Sequence, residues 1–312
     1  MKLALVFPGQ GSQSVGLLQS FADLPAIRDT FAEASEVLKQ DLWKLAAEGP
    51  AEDLNATVNT QPLMLTAGYA VYRAWCAAGA TAPSVVAGHS LGEYTALVAA
   101  GVIAFKDALP LVRFRAQAMQ EAVPIGAGAM AAVLGLDEDG VRAACIEAAQ
   151  GEVVEAVNFN APSQVVIAGH RSAVERAAAL VKSRGAKRAV LLPVSAPFHS
   201  SLLKPAAQRL EQYLATVAFH TPLIPVINNV DVALHTDPAK IKNALARQAS
   251  NPVRWVEVVK AMAASGVTHV AECGPGKVLA GLTKRIDGAL QGLAIADAAS
   301  LEQSLLALKQ AA

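Results

Sequence analysis

The residues best placed to do chemistry are Gly88-His89-Ser90-Leu91-Gly92, followed by Glu93-Tyr94. A serine between two glycines at this spacing is the pattern of a nucleophile elbow, in which a hydroxyl attacks an acyl carbon. Strand and helix backbones crowd each other at such a turn, and a Cβ on either flank would clash. With Gly and Ser each near ~7% of residues, three fixed letters recur by chance in about one chain in ten of this length, so the pattern counts only with its context. Here Ala82-Pro83-Ser84-Val85-Val86-Ala87 is a short, mostly apolar run leading into the first glycine, and Thr95-Ala96-Leu97-Val98-Ala99-Ala100 is rich in helix formers. Strand, tight turn and helix would leave the hydroxyl beside the first N–H groups of a helix, where negative charge is favoured. The competing reading is an incidental surface turn.

A serine needs a base within hydrogen-bond reach. Of the six histidines, His170 follows a strand, and His220, His235 and His269 sit among polar residues; all four read as structural or solvent-exposed. His89 adjoins the serine, but neighbours across a strand-to-helix turn point in different directions, so it reads as a positioning or core residue. His199 lies in Ser195-Ala196-Pro197-Phe198-His199-Ser200, a turn after a strand and downstream of the serine, where the base stands in enzymes with such an elbow. Spacing alone allows a general base or a helix-capping histidine equally. No Asp or Glu stands in an obvious loop to orient an imidazole, and a backbone carbonyl accepting from Nδ1–H could do so instead. Arg113 and Arg115 stand two residues apart on the helix expected near 106–121, and both read as helix-surface cations.

The elements that must position these groups alternate. Leu3–Phe7 is an apolar run typical of a buried parallel strand. It stops at Pro8-Gly9-Gln10-Gly11-Ser12-Gln13, which is neither G-x-G-x-x-G nor Walker A; a loop needing close backbone approach and free N–H groups fits better than nucleotide binding. Helices are expected at 25–39 and 62–78, the second with Thr60 as N-cap and Pro62 in its first turn. The strand and elbow at 84–100 and a helix near 106–121 complete an α/β layer with a parallel sheet. From 124 to 197 the texture changes: strands at 129–134, 153–159, 164–168 and 188–194 and helices at 138–149 and 172–184 read as a ferredoxin-like β-α-β-β-α-β unit. Later residues return to the first texture, with helices at 200–217, 239–249, 253–265 and 277–286 and strands at 223–227 and 267–272. An Ala/Leu-rich helix is expected over 301–312. The expected division is therefore an α/β core from 1–123 and 198–312 with a ferredoxin-like subdomain at 124–197. Gly274-Pro275-Gly276-Lys277 lacks the hydroxyl residue and upstream glycine of a P-loop and reads as a strand-to-helix turn.

Composition narrows the function classes. The chain has 312 residues, 53% of them apolar, enough for a full core. Its net charge of zero offers no basic surplus for nucleic acid or an anionic membrane. The three cysteines are far apart, which points to a reducing compartment and to neither a disulfide framework nor a zinc site. The N-terminal apolar run is short for a signal peptide, and no run approaches the ~18–20 apolar residues of a membrane span. A soluble, cytoplasmic protein is expected.

Taken together, several ordered segments resemble the malonyl-CoA:acyl carrier protein transacylase family of fatty-acid synthesis, over residues 1 to about 290. They are Phe7-Pro8-Gly9-Gln10-Gly11-Ser12-Gln13, Gly88 to Tyr94, Arg115 with Met119 to Pro124, Gly128 to Val133, Pro197-Phe198-His199-Ser200 and Gly274-Pro275-Gly276. The resemblance implies an α/β-hydrolase-like core with a ferredoxin-like subdomain. It implies Ser90 as the acyl-carrying nucleophile, His199 as base and then acid, and the backbone N–H groups of Gln10 and Leu91 as the oxyanion hole. Arg115 would bind the malonyl carboxylate, and the backbone carbonyl of Gln248 would orient His199. The implied partners are malonyl-CoA and an acyl carrier protein, with no metal or bound cofactor and a monomeric state. Phe198 would crowd an α-methyl branch, or is simply a core residue. Lys187, Arg188, Lys284 and Arg285 would meet an acidic carrier helix, or are solvated charges. Other readings are the acyltransferase subunit of malonate decarboxylase, a discrete polyketide acyltransferase, a serine thioesterase or hydrolase, and a catalytically silent carrier-docking module.

Overall fold

Apolar runs without alternation form strands buried on both faces, and such strands build the centre of the molecule. The computed structural model describes residues 1–310. Strand β1 (Leu3–Phe7) is buried throughout and leads into a loop, then helices α1 (Pro25–Leu38), α2 (Leu42–Glu48), α3 (Ala51–Asn55) and α4 (Thr57–Ala77). β2 (Val85–Gly88), α5 (Leu91–Ala99) and α6 (Phe105–Glu121) follow. The next elements are β3 (Gly128–Leu134), α7 (Glu138–Ala149), β4 (Val154–Ala161), β5 (Gln164–His170), α8 (Arg171–Ser183) and β6 (Arg188–Leu191). A short 3-10 turn at Ser201–Leu203 opens α9 (Lys204–Thr216). The described chain closes with β7 (Val226–Ile227), α10 (Pro238–Gln248), α11 (Trp255–Ala264), β8 (His269–Cys273), α12 (Val278–Ile286), β9 (Gln291–Ile295) and α13 (Ala298–Gln310).

Two sheets result. The first is parallel, in the order β7-β2-β1-β8-β9. The chain leaves β1, β2 and β7 at the same edge, just before Gln10, Ser90 and Asn229 respectively. That carboxyl edge is where open parallel sheets place ligands. The second sheet is antiparallel, in the order β4-β5-β3-β6. Its strands alternate with α7 and α8, and those helices share a core with it that includes Val141, Ile167 and Val174. This is the ferredoxin-like arrangement. Its edge strand β4 is tied to the core segment after α10: Phe159 N–H donates to Val253 O at 3.0 Å and Val253 N–H to Val157 O at 2.8 Å.

Some expected boundaries move. α4 begins at Thr57, so Pro62 lies inside it and Thr60 is not its N-cap. Thr60 Oγ1 instead donates to Leu54 O at 2.7 Å. A proline near a helix start removes few hydrogen bonds, and α4 buries most of its side chains, Leu63 to Ala67 among them. α2, α3 and the edge strand β9 are absent from the sequence reading. α2 had a local signal, because Asp41 caps it by accepting from Lys44 N–H at 2.8 Å. The strand expected at 223–227 shortens to Val226–Ile227. Of the helix expected over 301–312, positions 311 and 312 lie outside the described residues.

Candidate active site

Gly88 and Gly92 are where backbones touch. A Cβ on Gly88 would lie 1.8 Å from Gly92 C, and one on Gly92 would lie 2.0 Å from Phe7 O. Gly9 is similar: its Cβ would lie 2.6 Å from His89 O and 3.7 Å from Leu91 N. The first loop therefore lies directly against the elbow. Ser90 itself takes φ 51° and ψ −107°, a strained conformation for a side-chain-bearing residue. Asn229 holds that turn closed. Its Oδ1 accepts from Ser90 N–H at 2.8 Å and its Nδ2 donates to Gly88 O at 2.8 Å.

Ser90 Oγ and His199 Nε2 are 2.7 Å apart, although 109 residues separate them in the chain. His199 Nδ1 lies 2.8 Å from the backbone oxygen of Gln248. A carbonyl oxygen only accepts, so Nδ1 carries the proton and Nε2 is left to accept from the serine hydroxyl. No carboxylate is needed to set this tautomer. His199 is 4% exposed. Burial first, and then the charge of Arg115, pulls the imidazole down to about 3. It is therefore a neutral acceptor near pH 7.

Arg115 rises from α6 and is 1% exposed. It donates to Gln61 Oε1 at 2.9 Å, to Gln248 Oε1 at 2.9 Å and to Ser90 Oγ at 3.1 Å. Every one of these acceptors is neutral. Its Nε is buried without a partner among the described residues. Tyr94 puts its ring 5.3 Å from the guanidinium carbon. Burial lowers the guanidinium below its usual value, with Tyr94 and Glu93 pulling the other way. A buried cation whose acceptors are two amide oxygens and one hydroxyl, with no carboxylate among them, is poised for an anion. Arg113, by contrast, turns away to Leu38 O and Gln40.

Glu93 is a carboxyl one step removed, bonded to groups that touch the site and not to Arg115. It accepts from Asn229 N–H at 3.0 Å and from Gln248 Nε2 at 2.8 Å. Burial pushes it up to about 7, against the downward pull of those two bonds. Gln248 thus joins four groups: its carbonyl meets His199, its amide oxygen Arg115, and its amide nitrogen Glu93 and Ser90 O.

The cleft over Ser90 has a volume of about 120 Å³ and is lined by Gln10, Leu91, Met130, Phe198 and Asn158, among others. Leu91 opens the first turn of α5, where an N–H has no intrahelical acceptor. Gln10 stands on the loop that meets the elbow, with its side chain on Thr57 Oγ1 at 3.3 Å. Both residues line the cleft over Ser90. His89 is beside the cleft in a supporting place, with Nε2 2.8 Å from Asn160 Oδ1 and its ring against Trp255. Asn229, Gln61, Asn160 and the role of Glu93 are missing from the sequence reading. Asn229 carried one signal, a polar pair directly after a short apolar run at the sheet edge. Among the described residues no cluster of three or more His, Cys, Asp or Glu could hold a metal ion. Among the described residues no helix is long and apolar enough to cross a membrane.

Known proteins match this chain over nearly its whole length. The acyl transferase domain family matches residues 4–298. The chain is 55% identical over 305 residues to the malonyl CoA-acyl carrier protein transacylase of Escherichia coli K12, covering 97% of this chain and 99% of that one. It is 44% identical over 311 residues to the protein of the same name from Bacillus subtilis, covering 99% and 98%. A crystal structure of an acyl-carrier-protein S-malonyltransferase from Burkholderia pseudomallei superposes with a TM-score of 0.97 at 67% identity, over 98% of this chain and 100% of that one. A malonyl-transacylase solved in complex with a type II PKS acyl-carrier protein superposes equally, at 0.97 and 52% identity, over 98% and 100%.

Proposed function

The chain belongs to the acyl transferase family, and from that premise we propose that it moves a malonyl group from malonyl-CoA to an acyl carrier protein for fatty-acid synthesis, through an acyl-Ser90 intermediate. Ser90 Oγ adds to the thioester carbonyl carbon while its proton passes to His199 Nε2. The N–H groups of Gln10 and Leu91 receive the oxyanion, and each such donor is worth about 3 kcal/mol of barrier. Collapse breaks the C–S bond, and the coenzyme A thiolate takes the proton from His199. In the second half the phosphopantetheine thiol of the carrier gives its proton to His199 and attacks the acyl ester. Ser90 leaves and recovers the proton. The proposed chemistry uses no resident metal or cofactor.

The observation that carries the malonyl reading is the buried Arg115, bonded to Ser90 Oγ and otherwise only to neutral oxygens. A malonyl carboxylate pairs with that fork; an acetyl group leaves the charge unmatched. The same carboxylate offsets the charge that depresses His199, which makes the base stronger when the right acyl group is bound. A hydrolase reading draws on the same Ser90–His199 pair, since His199 would deprotonate a water as it does a thiol; it has less support because the relatives matched over nearly the whole chain are named transacylases. The test compares malonyl-CoA with acetyl-CoA, and carrier transfer with release of free acid. Arg115→Ala should lose malonyl transfer by about 10²-fold or more while its relative acetyl activity rises. Equal losses for both acyl groups, or free malonate as the main product, would overturn the reading.

Carrier docking draws on a convergence of cations. Arg285 of α12 bonds Gln164, Gln164 pairs with Leu134, and Leu134 pairs with Arg188 and accepts from Lys187 N–H. Exposed Lys187 and Arg188 of the subdomain thus lie near exposed Arg285 of α12, with Lys284 next to it in the chain, a cluster suited to an acidic carrier helix. We also take residues 124–197 as a working unit distinct from 1–123 and 198–312. A cytoplasmic location fits the three unpaired cysteines.

A further inference from the structure

His199 takes φ +64°, a left-handed conformation that costs a side-chain-bearing residue about 1–2 kcal/mol and persists only where its surroundings enforce it. Upstream, the turn closes on itself: Ser200 N–H and Ser200 Oγ both bond Pro197 O. Downstream, the enforcement comes from the subdomain. Glu155 on β4 uses both carboxylate oxygens on one residue, accepting from Ser201 N–H at 2.7 Å and from Ser201 Oγ at 2.8 Å. Charge-assisted bonds of this length are among the stronger ones. Ser201 is two residues past the imidazole and begins the 3-10 turn that leads into α9. The same strand reaches the other side of His199. Val157 and Phe159 bond Val253, five residues after the Gln248 carbonyl that holds Nδ1. β4 therefore grips both chain segments that aim the ring, and the groove between them is lined by Glu155, Ser201, Ser250 and Asn251.

We propose that Glu155 is a positioning residue for the His199 imidazole, so that the subdomain's edge strand braces the base from both sides. The inference rests on the reading of His199 as the general base. It gives the inserted unit a duty in the chemical step, beyond any part in admitting substrate. A base displaced by a fraction of an ångström accepts the serine proton poorly, whereas thioester binding depends on Arg115 and the cleft walls.

The test measures single-turnover acylation of Ser90 by malonyl-CoA, together with the downfield NMR resonance of the His199 Nδ1 proton. Glu155→Ala should slow acylation about tenfold or more, with the malonyl-CoA concentration for half-maximal rate changed less than about twofold. Glu155→Gln keeps one neutral acceptor and should fall between wild type and alanine. Ser201→Ala keeps the N–H bond and should slow acylation by no more than about twofold. The Nδ1 proton signal should shift or broaden in the order alanine, glutamine, wild type. If Glu155→Ala fails to fold, the glutamine variant decides by the same two readouts. A lower melting temperature with unchanged acylation and an unchanged proton signal would make Glu155 a helix cap only and overturn the proposal. His199→Ala separates the two levels. If it still acylates Ser90, the base reading fails; if it is dead while Glu155 variants are normal, only the brace fails.

Discussion

Two strand-turn-helix units of the same parallel sheet treat a helix N-terminus in opposite ways. In one, β2 runs through Ser90 into α5; in the other, β8 runs through Gly274-Pro275-Gly276-Lys277 into α12. The second unit fills its own N-terminus. Glu272, the penultimate residue of β8, accepts from Ala280 N–H at 2.8 Å and also meets the N–H groups of Leu279 and Val278. It is fully buried, and burial pushes it up to about 7 despite those donors. The first unit sends its acid elsewhere. Glu93 bonds Asn229 and Gln248, and Leu91 is left bordering the cleft. The start of α5 is thus left without a carboxylate of its own, as the proposed oxyanion site requires, whereas the start of α12 is occupied by one.

The largest expected effect separates the two units sterically. Gly92→Ala would drive a Cβ to 2.0 Å from Phe7 O, which is backbone and cannot yield. It should cost more than about 4 kcal/mol and leave little soluble protein, as read by thermal unfolding. A well-folded Gly92→Ala variant would break the claim that backbone crowding sets the elbow.

Next comes the pH dependence of the elbow's base. The imidazole is neutral above its own lowered value, so activity persists as pH falls through the ordinary 6.5 and is lost only well below it. The acid limb of kcat/KM for malonyl-CoA should therefore lie well under 6.5. A limb at 6.5 would mean that burial does not govern His199.

The second unit should show pH dependence in stability instead. Glu272 holds its proton up to about 7 when folded but releases it near 4.5 when unfolded. The folded state thus binds more protons between those values, and ionising the buried acid opposes folding as pH rises through 7. Glu272→Gln removes that burden. Its melting temperature relative to wild type should rise from about pH 5 to about pH 8, with kcat unchanged within about twofold. A pH-independent difference would place the acid in a wetter setting than the structure gives it.

The smallest effect sharpens the contrast. Gly281 sits in α12, exposed, with nothing within 4 Å of a built Cβ. Gly281→Ala should stabilise by about 0.5–1 kcal/mol, a rise of about 2 °C in Tm, without touching activity.

Much of this was legible in the residues. The elbow declared itself because steric crowding demands glycine at fixed spacing, and the parallel strands because burial on both faces demands continuous apolar runs. The ferredoxin-like unit was legible for the same reason, its alternation of short strands and capped helices being local. The groups that hold Ser90, Arg115 and His199 in place were not. Asn229, Gln61 and Glu155 are ordinary polar residues whose roles depend on elements brought together from distant positions, and only Asn229 carries a local signal, the polar pair after a short apolar run. Glu93 adjoins the elbow, yet only the fold turns it toward Gln248 and away from the helix start. Arg113 and Arg115 looked interchangeable, and helix α6 separates them by pointing one at Leu38 and Gln40 and the other into the cleft.

The most direct test is to mix the protein with malonyl-CoA alone, quench within the first turnover, and locate any covalent label by peptide mass mapping. The account predicts one malonyl group per chain, on the peptide containing Ser90, discharged when a carrier protein bearing its thiol is added and absent in Ser90→Ala. Label on another residue, or full malonyl transfer by Ser90→Ala, would contradict it.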